Sequence, residues 1–273
     1  MPETVTPDRI TFLMVGCQRC GTTWVDAALR EHPEIYLPPQ KQTYFFDRHY
    51  DKGIEWYLGQ FAGAGPQHRA VGEIATGYCL PGAVERMARH LPHIRLIMTV
   101  RHPVDRAYSN YKTRIAETGW KSFEQAIDAD PDLLVRGRYI EQIEALLRHY
   151  PRQRLLVLLY EDLDRDDRAY LGAILGFLGL EPSFECSQYG QRRNAVMFPR
   201  ARRVLQKVGL RPALLALSRS PVGAAVRRIN KRRGKVTSSD MDPQTRARLL
   251  EHFRPFNDRL AAWLGRDLSA WND

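Results

Sequence analysis

"VGCQRCGTTW", residues 15–24, follows a short apolar run and precedes a segment whose apolar residues have helical spacing. This order predicts a strand, a tight loop and a helix. Gly16 and Gly21 have the spacing of the two glycines in a GxxxxG phosphate-binding loop, in which backbone N–H groups and the helix N-terminus hold an anion. The stretch therefore predicts an anion site at the end of a strand in an α/β fold.

The two residues after the second glycine distinguish this loop from that of a nucleoside triphosphate site. Such a loop continues with Lys and then Ser or Thr, whereas this sequence has Thr22 and Thr23. The missing lysine is the group that reaches the β and γ phosphates, and Arg19 inside the loop instead offers a cation to a single phosphate. We expect a nucleotide with a short 5′ anion. A P-loop kinase or NTPase stays the alternative, because LLVLLYED resembles a Walker B strand ending at Asp162.

The same loop contains a CxxC, Cys17 and Cys20, which also occurs in zinc and redox sites. A structural zinc site needs about four ligands, and the remaining cysteines, Cys79 and Cys186, stand alone in the sequence. We therefore expect no metal. A thioredoxin-like redox motif stays open as an alternative, because it would also begin a helix after a strand.

Apolar runs alternate with helical patterns along the chain. The predicted strands are residues 9–16, 68–75, 94–100 and 154–160, and the clearest helices are 22–32, 81–92, 138–151 and 243–265, the last with an interruption at Pro255. This alternation is typical of a mostly parallel sheet covered on both faces. We predict an α/β, P-loop-like three-layer sandwich with a central, mostly parallel β-sheet flanked by helices, as one domain over residues 1–273.

The charge is uneven. Lys and Arg number 41 and Asp and Glu 31, and fourteen of the basic residues but no acidic one lie at 191–235. This basic segment, at about 190–240, is either a solvated face or a surface for an anionic ligand such as a nucleotide, polysaccharide, nucleic acid or lipid headgroup. No apolar run approaches the roughly eighteen residues of a membrane span, and the N-terminus has no signal-peptide pattern. We therefore expect a cytoplasmic protein.

A second candidate anion site follows the predicted strand at 94–100. Arg101 comes directly after that strand, and Ser109 lies two turns into a helix that Pro103 can open. Open α/β sheets bind ligands beyond the carboxyl ends of their strands, so both candidate sites fall at the same edge. Two anion sites at one edge suit a nucleotide that is phosphorylated at both ends.

With these two motifs the chain resembles sulfotransferases that use 3′-phosphoadenosine 5′-phosphosulfate (PAPS), in particular bacterial proteins similar to heparan sulfate sulfotransferase domains. GCQRCGTTW resembles their 5′-phosphosulfate loop, and VRHPVDRAYSNY resembles their 3′-phosphate motif. HPEIYLPPQKQTYFFD, GEIATGYCLP and LLVLLYEDL follow in the family's order and spacing. The resemblance covers about residues 9–200.

The resemblance implies the following donor contacts. The 5′-phosphosulfate is expected to lie on the loop residues Arg19, Cys20, Gly21, Thr22 and Thr23, and the 3′-phosphate on Arg101 and Ser109. Arg192 and Arg193, in GQRRN at 190–194, are candidates for covering the 3′-phosphate. Trp24 is expected to stack on adenine, with core packing as the alternative.

The implied reaction is an in-line displacement that moves the sulfuryl group to a hydroxyl or amine and releases adenosine 3′,5′-bisphosphate (PAP), without a metal. Arg19 and Lys41 would neutralise the leaving phosphate. Gln42 stands where the heparan sulfate type has a glutamate as general base, and an amide orients a hydroxyl but does not accept its proton. Glu73 is the nearest motif carboxylate. We expect it to act as the base or to orient the acceptor, with a hydrogen bond from Gln42; a structural ion pair with an arginine is the alternative.

The acceptor class is not encoded in a motif. The resemblance favours a carbohydrate or glycolipid, and a lipid-linked or phenolic acceptor is also compatible. A competing interpretation is a basic module that binds nucleic acid or a membrane surface through residues 191–235. That stretch lacks interleaved aromatics, so no specific nucleic acid is expected, whereas GAAVRRINKRR could lie on anionic lipid at the inner membrane face.

Overall fold

The protein is described by a computed structural model over residues 5–191 and 241–273. Its centre is a five-stranded sheet in the order β2-β3-β1-β4-β5, with every pair parallel. The strands are β1 (Phe12–Gly16), β2 (Ile35–Tyr36), β3 (Ala70–Ile74), β4 (Arg95–Val100) and β5 (Leu155–Leu159). The predicted parallel α/β architecture is confirmed.

Eleven α-helices lie in the described ranges. They are α1 (Thr22–Leu29), α2 (Phe45–Arg48), α3 (Ile54–Gly59), α4 (Ala83–His90), α5 (Pro103–Thr118), α6 (Phe123–Ala129), α7 (Asp132–Val135), α8 (Tyr139–Leu147), α9 (Tyr160–Arg165), α10 (Asp167–Leu178) and α11 (Pro243–Leu264). Short 3-10 turns occupy Pro7–Arg9, Tyr50–Lys52, Arg152–Arg154 and Ser269–Trp271.

Strand β1 is buried along its whole length because helices cover both faces of the sheet. Leu13 and Val15 point to one face and belong to a core shared with α4, α8 and α11. Phe12 and Met14 point to the other face and pack with α1 and α10. The alternation explains why the sequence of β1 is apolar at every position rather than at every second one.

The pairing of β1 with β4 brings two loops together at the carboxyl edge of the sheet. Gly16 is in register with Met98, and the Cys17 backbone N–H donates to the Thr99 carbonyl at 2.9 Å. The loop between β1 and α1 and the turn between β4 and α5 are therefore neighbours. The two motifs selected from the sequence share one edge, as parallel pairing requires.

Three features differ from the sequence-based expectations or lie outside them. Helix α11 runs through Pro255 without a break, so the predicted interruption is wrong. Strand β2 is a two-residue edge strand inside the connection rich in proline, too short to give a sequence pattern. The basic segment and its two arginines at 192 and 193 lie outside the described residues.

No helix in the described part of the chain combines the length and apolar character needed to cross a membrane.

Candidate functional site

The loop after β1 is a tight turn whose conformation requires glycine at its end. Gly21 has a φ of 83° and is the N-cap of α1. A Cβ at this position would lie 2.9 Å from Leu163 and 3.0 Å from the ring of Tyr160. Arg19 also adopts a left-handed φ, 73°, which is uncommon for a residue with a side chain. The loop thus turns back sharply before the first N–H groups of α1.

The two cysteines of the loop face the protein interior. Cys17 is 2% exposed and Cys20 is 0% exposed, and both are free thiols in the core that also contains Cys79. The Cys17 thiol donates to Gln142 Oε1 at 3.7 Å. Over the described residues there is no group of three or more His, Cys, Asp or Glu side chains able to hold a metal ion. The cysteine side chains therefore pack into the core beneath the loop. A contact between Cys20 and the donor stays a prediction.

Arg19 connects the two predicted anion sites. Its Nε donates to Ser109 Oγ, on α5, at 3.0 Å. Burial, and next the charge of Arg101, lower the pKa of Arg19. Arg101 is 8% exposed, lies with its guanidinium 4.9 Å from the centre of the Tyr160 ring, and approaches Asp105 at 3.9 Å. Two guanidinium groups and a hydroxyl from different elements thus converge, as expected from the sequence.

Lys41 brings a third cation to this edge from the segment that follows β2. Its Nζ donates to Thr22 Oγ1 at 3.3 Å and to Thr23 Oγ1 at 3.2 Å. Burial lowers the pKa of Lys41, and the nearby charges of Arg30 and Arg19 act in the same direction. A lysine therefore lies beside the start of α1 although none occurs in the loop sequence itself.

Glu73 is a fully buried carboxyl at the end of β3. It accepts hydrogen bonds from the Thr43 backbone N–H, from Thr43 Oγ1 at 3.1 Å and from the Tyr78 hydroxyl at 3.3 Å. Burial raises its pKa to about 7. These bonds hold the segment that carries Lys41 and Gln42 against the sheet.

Gln42 is oriented by a different partner from the one expected. Its Oε1 accepts from the Thr76 backbone N–H at 3.4 Å and from Thr76 Oγ1 at 3.2 Å. The hydrogen bonds of Glu73 in turn come from Thr43 and Tyr78, so neither Gln42 nor an arginine is its hydrogen-bond partner here. The sequence indicated both Gln42 and Glu73 as candidate site residues, but it did not indicate their hydrogen-bond partners.

Trp24 lies in the core on the α1 side of the sheet. It is 5% exposed, its indole N–H donates to the Gln188 carbonyl at 3.1 Å, and its ring contacts Tyr170 and Tyr189 at centroid distances of 6.3 and 6.5 Å. These are the contacts of a packing residue. The predicted contact with adenine stays a prediction.

A cavity of about 440 Å³ adjoins the loop. The amides of Gln18, Gln42 and Asn110 line it, and Asn110 Nδ2 donates to Gln18 Oε1 at 3.3 Å. The remaining lining residues are Tyr44, Asp47, Arg48, Thr76, Gly77, Arg114, Asp130, Asp132 and Arg136. Tyr44, Asp47, Thr76 and Gly77 lie within segments quoted from the sequence but were not singled out there, and the arginines and other aspartates come from distant elements and the turns beside them.

Comparison with known proteins identifies the family. The model of the sulfotransferase domain matches residues 9–197. The chain belongs to the sulfotransferase domain family. The chain is 25% identical over 265 residues to heparan sulfate glucosamine 3-O-sulfotransferase 3B1 of Homo sapiens, covering 93% of this chain and 63% of the relative. It is 28% identical over 193 residues to heparan sulfate glucosamine 3-O-sulfotransferase 6 of Mus musculus, covering 66% and 56%.

A solved structure shows the same fold. The sulfotransferase from Alicyclobacillus acidocaldarius superposes with a TM-score of 0.71 and 24% identity, over 97% of this chain and 99% of that one. The P-loop-like sandwich expected from the sequence is thereby confirmed. In length, the chain spans 56% and 63% of the two curated relatives described above.

The Walker B resemblance is not supported by the position of Asp162. Strand β5 ends at Leu159, and Asp162 lies on α9. Its carboxylate is bound by Arg165 and Arg266. Asp162 therefore lies beyond the end of the strand and is ion-paired with two arginines, which differs from an aspartate placed at a strand end to bind magnesium.

Proposed function

We propose that this chain, as one sulfotransferase domain, transfers a sulfuryl group from PAPS to a hydroxyl or amine of a carbohydrate or glycolipid acceptor and releases PAP. The observation that carries the proposal is the hydrogen bond between Arg19 and Ser109, which joins the 5′ and 3′ motifs at one edge of the sheet. The named activities of the two curated relatives support the acceptor class.

The cations at this edge fit a doubly phosphorylated nucleotide. Lys41 contacts Thr22 at the start of α1, and Arg19 lies in the loop before it. Together with the first N–H groups of the helix they would hold the 5′-phosphosulfate. Arg101 and Ser109 would hold the 3′-phosphate. Burial lowers the pKa of both Arg19 and Lys41, and the charge of Arg101 near Arg19, and those of Arg30 and Arg19 near Lys41, act in the same direction. An anion placed between these groups relieves the repulsion between their charges.

The chemistry that these residues support is positioning and charge neutralisation. Arg19 and Lys41 would stabilise negative charge on the departing 5′-phosphate, the role that fixed cations have in group transfer. The acceptor would enter through the cavity lined by Gln18, Gln42 and Asn110. Because Thr76 fixes Gln42 Oε1, its remaining lone pair could orient the attacking hydroxyl.

Glu73 is proposed as a positioning residue, the second of the two roles expected for it. It is 0% exposed, so it contacts no acceptor directly. Through Thr43 and Tyr78 it fixes the segment that contains Lys41 and Gln42. It would thus orient the acceptor through Gln42 rather than take its proton.

Two finer expectations belong to the same proposal. Arg192 and Arg193 would cover the 3′-phosphate. The basic stretch at 191–235 would bring a cytoplasmic, bacterial enzyme into peripheral contact with the anionic inner face of the membrane. The concentration of fourteen Lys and Arg in that stretch supports this contact.

Calorimetry with PAP tests the donor site. We expect the wild-type chain to bind PAP, and Arg101→Ala to weaken PAP about 10- to 100-fold, because a hydrogen bond to a charged group contributes about 1.5 to 3 kcal/mol. Affinity for AMP, which lacks the 3′-phosphate, should not change. Arg95→Ala is the matched control, since Arg95 begins the same strand at its opposite end.

Two results would contradict the proposal. One is equal loss of PAP affinity in Arg95→Ala and Arg101→Ala, which would indicate a general structural effect. The other is displacement of PAP by ATP with Mg²⁺, which would favour the kinase alternative.

A further inference from the structure

Among the residues that the structure describes, the lining of the cavity beside the donor loop is polar and balanced in charge. Three arginines and three aspartates line it: Arg48, Arg114, Arg136, Asp47, Asp130 and Asp132. Tyr44 is the one aromatic ring that the described residues contribute to the lining. The volume of about 440 Å³ lies in the ordinary range for small-ligand sites, about 300 to 1,000 Å³.

Each arginine of the lining already has a carboxylate next to it. Arg114 is ion-paired with Asp130. Arg136 Nη2 lies 3.2 Å from Asp132 Oδ2. Arg48 Nε approaches Asp47 Oδ2 at 3.8 Å. These pairs are partly exposed and contribute little to stability, but they cancel the positive charge that an acceptor carboxylate or sulfate would need.

The donor edge has a different balance, because Arg101 approaches Asp105 at 3.9 Å while Arg19 and Lys41 add two further cations. Arg19 and Lys41 are close enough for the charge of Arg19 to lower the pKa of Lys41, and Arg101 lowers that of Arg19. Positive charge is therefore concentrated where the nucleotide would bind and is neutralised where the acceptor would enter. A carboxylate or sulfate of the acceptor would be repelled beside Asp130 or Asp132, because it has the same negative charge.

The adjoining cavity of about 320 Å³ adds one arginine to this balance. It shares Asp47, Arg48 and Arg136 with the first cavity and adds Arg86. Arg86 donates to the Phe46 carbonyl at 2.9 Å and packs over a tyrosine ring at 4.8 Å. Its guanidinium is thus engaged by the protein itself.

We propose, on the basis of the sulfuryl transfer proposed above, that the acceptor unit bound in this cavity is an uncharged, polyhydroxylated sugar and not an anionic glycan. Carboxylates accept from sugar hydroxyls, while guanidinium and amide N–H groups donate to them. A paired aspartate and arginine can therefore bind two neighbouring hydroxyls at once.

A matched pair of oligosaccharides tests the inference. Heparosan hexasaccharide carries a carboxylate on every uronic acid, and its carboxyl-reduced form has the same backbone without charge. Binding of each is measured by saturation-transfer NMR in the presence of PAP, and sulfation with radiolabelled PAPS. We expect the carboxyl-reduced form to bind, and to be sulfated with a kcat/KM at least tenfold higher. Equal or better binding of the charged form, or binding of neither, overturns the inference.

A charge variant supplies a second readout. Asp132→Asn leaves the cavity with one net positive charge, so it should raise the affinity for heparosan relative to its reduced form at least threefold. Asp128→Asn is the control, because exposed Asp128 lies near Asp130 in sequence but outside the lining. The same ratio in both variants would contradict the inference. Failure of the proposed function is distinguishable, since it would appear as loss of PAP binding.

Discussion

Glu73 shows how burial changes the chemistry of a single residue. A carboxyl with 0% exposure and a pKa raised to about 7 favours its neutral form in the folded chain. The sequence could place Glu73 at the end of a strand, since the apolar run of β3 ends there. It could not show that Thr43 and Tyr78 would surround it, because those contacts depend on how the segment after β2 folds over the sheet.

This burial predicts a pH dependence of stability. Because the folded pKa is above the unfolded one, the contribution of Glu73 is fully present below about pH 4.5 and is lost as the pH rises through about 7. In Glu73→Gln this dependence should disappear. The difference in free energy of unfolding between variant and wild type should shift in favour of the variant by about 2.5 kcal/mol from pH 5 to pH 8, measured by urea unfolding.

Glu117→Gln is the control for this measurement, because Glu117 is exposed on α5. A constant difference between Glu73→Gln and wild type at both pH values would show that Glu73 is not buried as described. Retained turnover with an unchanged pH profile in Glu73→Gln would agree with a positioning role and rule out that of general base.

The loop between β1 and α1 is the element that the sequence predicts best. Its glycine spacing and the flanking strand and helix follow from local patterns, and the structure has them where expected. The CxxC inside it was ambiguous, because spacing does not show which way a side chain points. In the structure both thiols point into the core, so the loop backbone and Arg19 are what face the ligand side.

A double substitution tests whether the loop backbone and Arg19, rather than the two thiols, contact the donor. Cys17→Ala/Cys20→Ala should keep the PAP affinity within about threefold, because the thiols line the core rather than the proposed donor site. It should lower the free energy of unfolding by about 1 to 3 kcal/mol through the small cavities it leaves. Calorimetry and urea unfolding measure the two effects. Cys186→Ala, in a separate core, is the control.

Loss of PAP binding in the double variant but not in Cys186→Ala would show that Cys17 and Cys20 take part in donor binding. Serine or glycine replacements are less suitable here. Serine would bury two hydroxyls in an apolar core, and glycine would add freedom to a loop that already contains left-handed positions.

The whole molecule has its excess charge in one place. The described residues contain 27 Lys or Arg and 29 Asp or Glu, whereas fourteen Lys or Arg lie at 192–235. Sequence alone was sufficient to find this asymmetry. It was not sufficient to find the balanced acceptor cavity, because its six charged residues come from α2, α5, α7 and the turns beside them and are up to 89 positions apart.

Replacement of Lys231, Arg232, Arg233 and Lys235 by Gln tests the role of that excess. Basic residues near an anionic bilayer contribute about 1 kcal/mol each to membrane binding. The binding constant for phosphatidylglycerol vesicles, measured by sedimentation at low salt, should therefore fall at least tenfold. Phosphatidylcholine vesicles are the control, and PAP affinity should not change. Unaltered sedimentation with the anionic vesicles would show that the stretch does not bind the membrane.

The hydrogen bond between Arg19 and Ser109 also has a consequence for selectivity. In the proposed complex both residues turn from each other to a phosphate, so binding at either end of the nucleotide breaks the same bond. Binding of PAP breaks this hydrogen bond once and gains contacts at both its 5′- and 3′-phosphates. Binding of AMP breaks the same bond but gains contacts only at the 5′-phosphate. The two phosphates should therefore bind cooperatively, and the ordinary adenine nucleotides of a cell would compete poorly with the donor even at high concentration.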